Sequence, residues 1–166
     1  MLNPIDVSNR SVRLFQSIPF VFFHAVGCMR ILIADDHEVV RKGVWSILAP
    51  CEQLEVCGEA ANGEEAVQKA LQLRPDLIIL DVAMPILGGF SAAKEIRKAL
   101  PAVPILILSM HDDPEMIRAS KLAGAQGFIT KTDVSSALLI AVEALLQGQT
   151  FYSDEQSWKK SHATTT

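Results

Sequence analysis

The chain has 166 residues, of which 49% are hydrophobic and 20% are charged. This composition excludes intrinsic disorder, which requires few apolar residues and a high charge, and the length fits one compact domain with its own core. The formal net charge of −4 lacks the basic excess that binding to a phosphate backbone requires, so we expect no direct nucleic-acid partner for this chain.

Residues 1–28 form a predicted N-terminal extension. Two arginines precede an apolar run, 18–26, and this order superficially resembles a secretory signal. The run is shorter than the roughly 20 residues that span a bilayer, and Pro19 and His24 interrupt it. We therefore expect no membrane partner. We interpret the extension as flexible or as the product of a start codon placed too early, because Met29 directly precedes the first strand.

The cysteines and histidines indicate neither a disulfide framework nor a metal centre. Cys28, Cys51 and Cys57 are odd in number and lack the spacing of a zinc or redox motif. They predict reduced thiols and a cytoplasmic location. The four histidines lack the paired helical spacing of a metal-binding helix, so we interpret them as scattered polar residues.

From Arg30 onward, short apolar runs alternate with segments of helical period. The predicted strands are 30–34, 54–60, 76–80, 104–108 and 125–130. The predicted helices are 37–49, 62–73, 89–99, 114–122 and 133–147. This alternation predicts βαβ units and hence an α/β fold in which helices cover both faces of a parallel sheet.

The domain boundaries follow from the same pattern. We assign 29–148 to one domain, and we assign 149–166, which is polar and ends in a threonine run, to a C-terminal tail or truncated linker. Three of the predicted strands are nearly continuous apolar runs, as in strands that are buried on both faces. The second and fifth strands are predicted to lie at the edges of the sheet.

Polar side chains follow four of the predicted strands. Asp35 and Asp36 come after the first strand, Asp81 after the third, Ser109 after the fourth and Lys131 after the fifth. In a doubly wound parallel sheet, ligands bind outside the carboxyl ends of the strands. The sequence therefore predicts that these side chains meet in one crevice.

The chemistry of these side chains indicates a site that handles a phosphoryl group. Carboxylates gathered in one crevice repel one another unless a cation lies among them, and Mg²⁺ prefers oxygen ligands and often binds phosphate as well. A lysine ammonium and a serine hydroxyl suit the phosphate oxygens. Taken singly, each residue is more simply explained as a helix cap, a turn former or a solvated charge. Their shared position favours the site.

Four segments carry a family resemblance: MRILIADDHEVVRKG, DLIILDVAMPILGG, ILILS and GFITK are similar to the successive signatures of response regulator receivers. The similarity runs from about residue 29 to 150. It extends in particular to the subfamily that places a helix-turn-helix DNA-binding domain after the receiver. The resemblance implies a flavodoxin-like, doubly wound sheet of five parallel strands in the order 2-1-3-4-5.

The resemblance also implies a metal site. Asp81 is then the phosphoacceptor and a ligand of Mg²⁺, and Asp36 is a second, direct ligand. Asp35 acts on the ion through water, and the backbone carbonyl of Ala83 supplies a further protein oxygen.

The remaining implied roles concern switching. Ser109 is the switch hydroxyl, Lys131 pairs with the phosphoryl group, and Phe128 is the switch aromatic, although Phe128 is equally explained as a core residue. The resemblance implies a signalling phosphoacceptor rather than an enzyme, with a sensor histidine kinase as donor. Dimerisation or partner docking is expected through the last helix-strand-helix face.

Two alternatives stay open. A flavodoxin-like module would bind flavin or another phosphate ligand in the same crevice, but it is expected to carry a glycine- or hydroxyl-rich loop after the first strand. A magnesium-dependent phosphatase with an aspartyl nucleophile usually carries a second acidic residue two places later, where this chain has Ala83. We expect either a stand-alone receiver or a piece of a longer regulator.

Overall fold

The computed structural model describes residues 27–153. Its strands are β1 (Met29–Ala34), β2 (Leu54–Ala60), β3 (Leu77–Asp81), β4 (Ile105–Ser109), β5 (Gly127–Thr130) and β6 (Phe151–Tyr152). Its helices are α1 (Glu38–Leu48), α2 (Gly63–Leu73), α3 (Gly89–Ala99), α4 (Pro114–Leu122) and α5 (Val134–Leu146). The apolar run at 18–26 and most of the tail lie outside the described residues, so the predicted extension and linker stay predictions.

The strands form one parallel sheet in the order β2-β1-β3-β4-β5-β6. The predicted α/β class and the order of the first five strands are confirmed. The predicted edge position of the fifth strand is wrong, because β6 pairs with the start of β5. A polar stretch that continues after α5 supplied no apolar run from which this short strand could be predicted.

Alternating side chains divide the core into two layers, one on each face of the sheet. Ile31 and Ile33 pack with residues of α1 and α5, whereas Leu32 and Ala34 pack with residues of α2, α3 and α4. Successive side chains of a strand point to opposite faces, so a strand covered on both faces must be apolar throughout. In the inner strands β3 and β4, the polar residues Asp81 and Ser109 consequently lie at the strand ends.

Two helices begin at residues whose side chains cap them. The Asn62 side chain accepts a hydrogen bond from the amide of Glu65 at 2.9 Å, and the Glu65 carboxylate accepts one from the amide of Ala61 at 2.8 Å. Asp113 accepts from the amide of Met116 at 3.0 Å, ahead of α4. These contacts satisfy amides that have no partner inside their helix.

No helix between residues 27 and 153 is long and apolar enough to cross a membrane.

The short strand β6 is held by a backbone hydrogen bond, a side-chain hydrogen bond and a cation–π contact. The amide of Phe151 donates to the Gln126 carbonyl at 3.0 Å, and the hydroxyl of Tyr152 donates to the Ala125 carbonyl at 2.9 Å. The ammonium of Lys121 lies 4.2 Å from the centroid of the Tyr152 ring, within range of a cation–π contact. The sheet therefore continues into the segment that was assigned to the tail.

Helix α3 begins against the backbone of β3. A Cβ atom added at Gly89 would lie 2.0 Å from the carbonyl oxygen of Asp81, far inside van der Waals contact. By contrast, a Cβ atom at Gly43, an exposed residue within α1, would meet nothing within 4 Å. Gly89 is thus required for close approach of α3 to the end of β3.

We predict opposite effects of alanine at these two glycines. Gly89→Ala should lower the free energy of unfolding by about 2 kcal/mol, because backbone atoms of β3 and α3 must separate. Gly43→Ala should raise it by about 0.5–1 kcal/mol, because alanine has the higher helix propensity and meets no obstacle. Urea unfolding followed by circular dichroism measures both. A stable Gly89→Ala protein would contradict the close approach.

Candidate functional site

The carboxyl-terminal ends of four strands meet at one end of the sheet. Asp81 and Ser109 are the last residues of the neighbouring strands β3 and β4, and Asp35 directly follows β1. Lys131 directly follows β5, and its amide donates to the carbonyl of Ser109 at 2.7 Å. The chain brings these residues together from distant segments because parallel strands present their carboxyl ends at the same side.

Lys131 joins two buried carboxylates. Its Nζ atom lies 2.7 Å from Oδ2 of Asp35 and 3.0 Å from Oδ1 of Asp81. The side chain of Lys131 is 10% exposed, and those of Asp35 and Asp81 are 0% and 2% exposed. One cation therefore faces two anions that water hardly reaches, so the group as a whole retains an excess negative charge.

The pKa directions follow from this arrangement. Burial raises the pKa of Asp81 above its ordinary value, and the charge of Asp35 adds to the rise, against the opposing effect of Lys131. Burial acts to lower the pKa of Lys131, but the two carboxylates together raise it. Lys131 therefore stays protonated near neutral pH, and the ionised form of Asp81 is less favourable here than in water.

One carboxylate oxygen of Asp81 is left without a hydrogen bond. Oδ2 of Asp81 is buried and has no hydrogen-bond partner among the described residues, and Lys131 makes its close contact with Oδ1 instead. Oδ2 of Asp35 likewise accepts no hydrogen bond, although the Lys131 ammonium lies close to it. Buried oxygens of this kind are normally satisfied by a bound ion, water or ligand. A bound cation, or an electrophile that reacts with the carboxylate, would satisfy these oxygens.

Asp36 and His37 complete the acidic side of the crevice. Oδ1 of Asp36 lies 2.8 Å from Nδ1 of His37, and Oδ1 of Asp35 lies 3.3 Å from the same nitrogen. The ligand atoms of Asp35, Asp36 and His37 all lie within 4.8 Å of one another. His37 was interpreted as a scattered polar residue. Its position directly after the acidic pair, ahead of α1, was the available signal.

The other predicted residues occupy three distinct surroundings. Ser109 is buried, and its hydroxyl accepts a hydrogen bond from the amide of His111 at 3.1 Å. Phe128 is fully buried in the core layer that also contains Tyr152, which lies opposite it on β6. Ala83 is exposed, and its backbone amide acts to lower the pKa of Asp81.

The loop between β3 and α3 borders the crevice with a strained backbone. Ile86 has a φ angle of 69°, in the left-handed region that β-branched residues rarely adopt, and its side chain is exposed. Met84, two residues earlier, is buried in the core. Such strain persists where surrounding contacts determine the loop conformation. The buried Met84 and the tight start of α3 at Gly89 supply those contacts.

Comparisons with known proteins identify the relatives of this chain. A family model described as the response regulator receiver domain matches residues 31–143. The oxygen regulatory protein NreC of Staphylococcus epidermidis is 44% identical over 124 residues, which cover 74% of this chain and 57% of NreC. This chain therefore spans less than two thirds of the length of that curated relative.

Solved structures agree with the family match. A two-component response regulator of the LuxR family from Aurantimonas superposes with a TM-score of 0.72 and 33% identity, covering 75% of this chain and 89% of that one. The response regulator RcsB of Salmonella typhimurium superposes with a TM-score of 0.70 and 28% identity, covering 75% of this chain and 63% of RcsB. These matches favour a receiver over the flavin-binding and phosphatase alternatives.

The comparisons overturn the prediction that nucleic acid is no partner. The RcsB structure is described by its conformational dynamism for DNA interaction, and another relative belongs to the LuxR family of regulators. The prediction was wrong because the net charge of −4 describes the present chain. Charge on a receiver carries no information about a DNA-binding domain joined to it in the longer relatives.

We predict that the two buried charges contribute to stability with opposite signs. In the presence of a chelator near pH 7, Asp81→Asn should raise the free energy of unfolding by about 1 kcal/mol, because it removes a carboxylate whose ionisation the fold disfavours. Lys131→Met should lower it by about 3 kcal/mol, because it leaves two buried carboxylates without their cation. Chemical unfolding of each variant measures both changes.

The pH dependence of the Asp81 effect provides its control. The folded protein holds the Asp81 proton more tightly than the unfolded chain does, so the contribution of Asp81 to wild-type stability is lost as pH rises through its folded pKa. The advantage of Asp81→Asn should therefore vanish below the ordinary carboxyl pKa of about 3.9. An advantage that stays constant across this range would contradict the ionic origin.

Proposed function

The chain belongs to the family of response regulator receiver domains, and from this premise we propose that Asp81 is the residue that accepts the phosphoryl group. A receiver is the phosphoacceptor of a two-component signalling system. The observation that supports Asp81 is its buried Oδ2 atom, which has no hydrogen-bond partner within residues 27–153. Within residues 27–153, Oδ2 of Asp35 is the other buried carboxylate oxygen without a hydrogen bond.

Position separates these two carboxylates. Asp35 Oδ2 is the atom that contacts the Lys131 ammonium, and Asp35 Oδ1 accepts a hydrogen bond from the amide of His37 at 2.8 Å. Both oxygens of Asp35 are therefore engaged. Asp81 contacts the ammonium through Oδ1 only, which leaves Oδ2 available to attack.

The transfer step needs positioning more than covalent chemistry. The Asp81 oxygen forms a bond to phosphorus while the bond from phosphorus to the donor group breaks, and the donor leaves with that electron pair. Lys131 lies where its ammonium can neutralise charge on the transferring group, because it already contacts the Asp81 carboxylate. We propose this contact as the reason for the buried position of Lys131.

The acidic side chains fit Mg²⁺, which would supply charge neutralisation at the phosphoryl oxygens. We propose that Asp36 and Asp81 bind the ion directly and that Asp35 acts through water. The carbonyl of Ala83 would supply a further oxygen. Two observations support this assignment: three of the proposed donors are carboxylates, and Oδ2 of Asp35 and Oδ2 of Asp81 are buried without a hydrogen bond.

We propose that Ser109 and Phe128 transmit the change. A phosphoryl group adds about −1.5 to −2 charge units and three acceptor oxygens, which the buried Ser109 hydroxyl can bind. The hydroxyl would then give up its contact with the His111 amide. That movement would alter the loop before α4 and the packing around Phe128, which lies on the adjoining strand.

The partner of this switch follows from the chemistry of its donor. We propose that a sensor histidine kinase supplies the phosphoryl group, and that small acyl phosphates replace it in self-phosphorylation. Hydrolysis of the resulting acyl phosphate would be the only further reaction. A cytoplasmic location belongs to the same proposal, and it is consistent with the free thiols of Cys28, Cys51 and Cys57.

We predict that acetyl phosphate with Mg²⁺ adds one phosphoryl group to the full chain. Asp81→Asn should abolish the addition, because the amide cannot act as the nucleophile. Omission of Mg²⁺ should prevent it as well. Intact-mass spectrometry of each sample measures the outcome.

Asp76→Asn serves as the matched control for this experiment. Asp76 directly precedes β3, at the end of that strand opposite to Asp81, and it is exposed. Its substitution should therefore leave the mass gain unchanged. A mass gain that survives Asp81→Asn would remove Asp81 from its proposed role.

We predict that Ser109→Ala separates phosphorylation from switching. Tyr152 is the single tyrosine of the chain and pairs with Phe128, so 3-fluorotyrosine gives one ¹⁹F resonance that reports on this region. Acetyl phosphate should shift that resonance in the wild type, and the shift should shrink severalfold in Ser109→Ala, although the mass gain persists.

Ser136→Ala, an exposed serine of α5, should behave as the wild type in this measurement. A full ¹⁹F shift in phosphorylated Ser109→Ala would exclude Ser109 as the transmitting hydroxyl.

A further inference from the structure

Arg41, the fourth residue of α1, reaches back to the end of β1. Its Nη1 atom donates to the backbone carbonyl of Asp35 at 2.7 Å, and its Nε atom donates to a carboxylate oxygen of Glu59 at 2.8 Å. Glu59 belongs to the edge strand β2 and is exposed, whereas the side chain of Arg41 is only 15% exposed. Arg41 therefore joins α1 to the ends of two strands from a largely covered position.

The carbonyl that Arg41 binds belongs to the peptide group between Asp35 and Asp36. A peptide group is planar, so a hydrogen bond that fixes its carbonyl also fixes the direction in which the chain continues. On the other side of Asp35, the Asp35 amide donates to the carbonyl of Ala60 at 3.0 Å. These two contacts hold the backbone from which both acidic side chains emerge.

The two acidic side chains differ in how they are held. Asp35 is buried, its Oδ1 atom accepts from the amide of His37 at 2.8 Å, and its Oδ2 atom lies 2.7 Å from the ammonium of Lys131. Asp36 is exposed, and its Oδ1 atom lies 2.8 Å from the imidazole of His37, which is exposed as well. The direction of the Asp36 carboxylate thus depends strongly on the peptide group that precedes it.

We infer that Arg41 is a positioning residue of the acidic site, which holds the peptide group between Asp35 and Asp36 and so orients both carboxylates for binding of Mg²⁺. The inference rests on the proposed function, since it assumes that these carboxylates bind Mg²⁺. It goes further by assigning a role to a side chain that acts through the backbone. Groups that orient metal ligands contribute to the affinity for the metal without contacting it.

Two simpler roles of Arg41 predict different effects of its removal. If Arg41 acted only through its charge, its removal would strengthen the binding of Mg²⁺, because a guanidinium repels a cation. If Arg41 only tied α1 to β2 through Glu59, its removal would lower the stability of the fold and leave the affinity for Mg²⁺ unchanged. A positioning role instead predicts weaker binding of Mg²⁺.

Isothermal titration calorimetry of the full chain measures the affinity for Mg²⁺ in the wild type, Arg41→Met and Arg41→Lys. Arg41→Met should lose affinity about tenfold, as when groups that orient metal ligands are removed. Arg41→Lys keeps the charge and one donor for the Asp35 carbonyl but lacks the planar fork that also binds Glu59, so its loss should be about threefold. Urea unfolding of each variant establishes that it is folded during the titration.

The Mg²⁺ dependence of phosphorylation gives a second readout. Acetyl phosphate is the donor, and intact-mass spectrometry follows the rate at each Mg²⁺ concentration. Arg41→Met should need about tenfold more Mg²⁺ for its half-maximal rate. At saturating Mg²⁺ its rate should approach that of the wild type, because Asp81 and Lys131 are unchanged.

Two control variants separate positioning from charge and from stability. Lys42→Met removes the exposed cation at the next position of α1, which lies 2.6 Å from Glu38, so it should not weaken the binding of Mg²⁺. Arg97→Met removes an arginine that donates to the Gly124 carbonyl at 2.8 Å, ahead of β5 and away from the crevice. It should lower the stability of the fold and leave the affinity for Mg²⁺ unchanged.

An affinity of Arg41→Met equal to or higher than that of the wild type would overturn the inference, and so would an equal loss in Arg97→Met. Should Arg41→Met not fold, Arg41→Lys decides, and an unchanged affinity in that variant would overturn the inference as well. If the wild type is phosphorylated in Mg²⁺ while the Arg41 variants bind Mg²⁺ normally, the inference fails and the receiver function stands. If the wild type binds no Mg²⁺ and gains no phosphoryl group, both proposals fall.

Discussion

The ion pairs of Lys131 with Asp35 and Asp81 are the interaction on which the site depends. Three strands that are distant in sequence end at this point, and one ammonium holds two of their carboxylates together. The group is still short of positive charge, as the raised pKa of Asp81 indicates. A site left in this condition favours a bound cation, because the cation relieves a repulsion that the fold already contains.

The burial of apolar residues elsewhere in the fold offsets the unfavourable burial of these charges. Helices cover both faces of the sheet and form an apolar core layer on each, and the inner strands β3 and β4 are buried and apolar up to Asp81 and Ser109 at their carboxyl ends. Those layers provide the favourable burial that offsets three poorly hydrated charges. At the carboxyl end of β3, Ile86 adopts a positive φ and Gly89 packs against the Asp81 carbonyl. β3 and β4 thus contribute apolar residues to the core along their length and one polar residue each to the site at their carboxyl ends.

Much of this could be predicted from the sequence, because strand periodicity and strand order determine where polar side chains emerge. Asp81 and Lys131 each follow an apolar run, so a parallel sheet must bring them to one edge. The strand β6 could not be predicted, since its two residues pair with β5 only through tertiary contacts such as the hydroxyl of Tyr152. His37 was missed for a related reason. The spacing rule for metal-binding histidines applies within a helix, whereas the His37 imidazole contacts Asp36 from the position just before α1.

The two unpredicted features lie near opposite ends of β5. His37 borders the entrance where an ion would bind, and β6 covers the start of the strand that carries Phe128 and leads to Lys131. Because β5 is only four residues long, Lys131 directly follows a segment whose start is paired with β6. The acidic crevice is therefore joined to β6 by one short, buried strand.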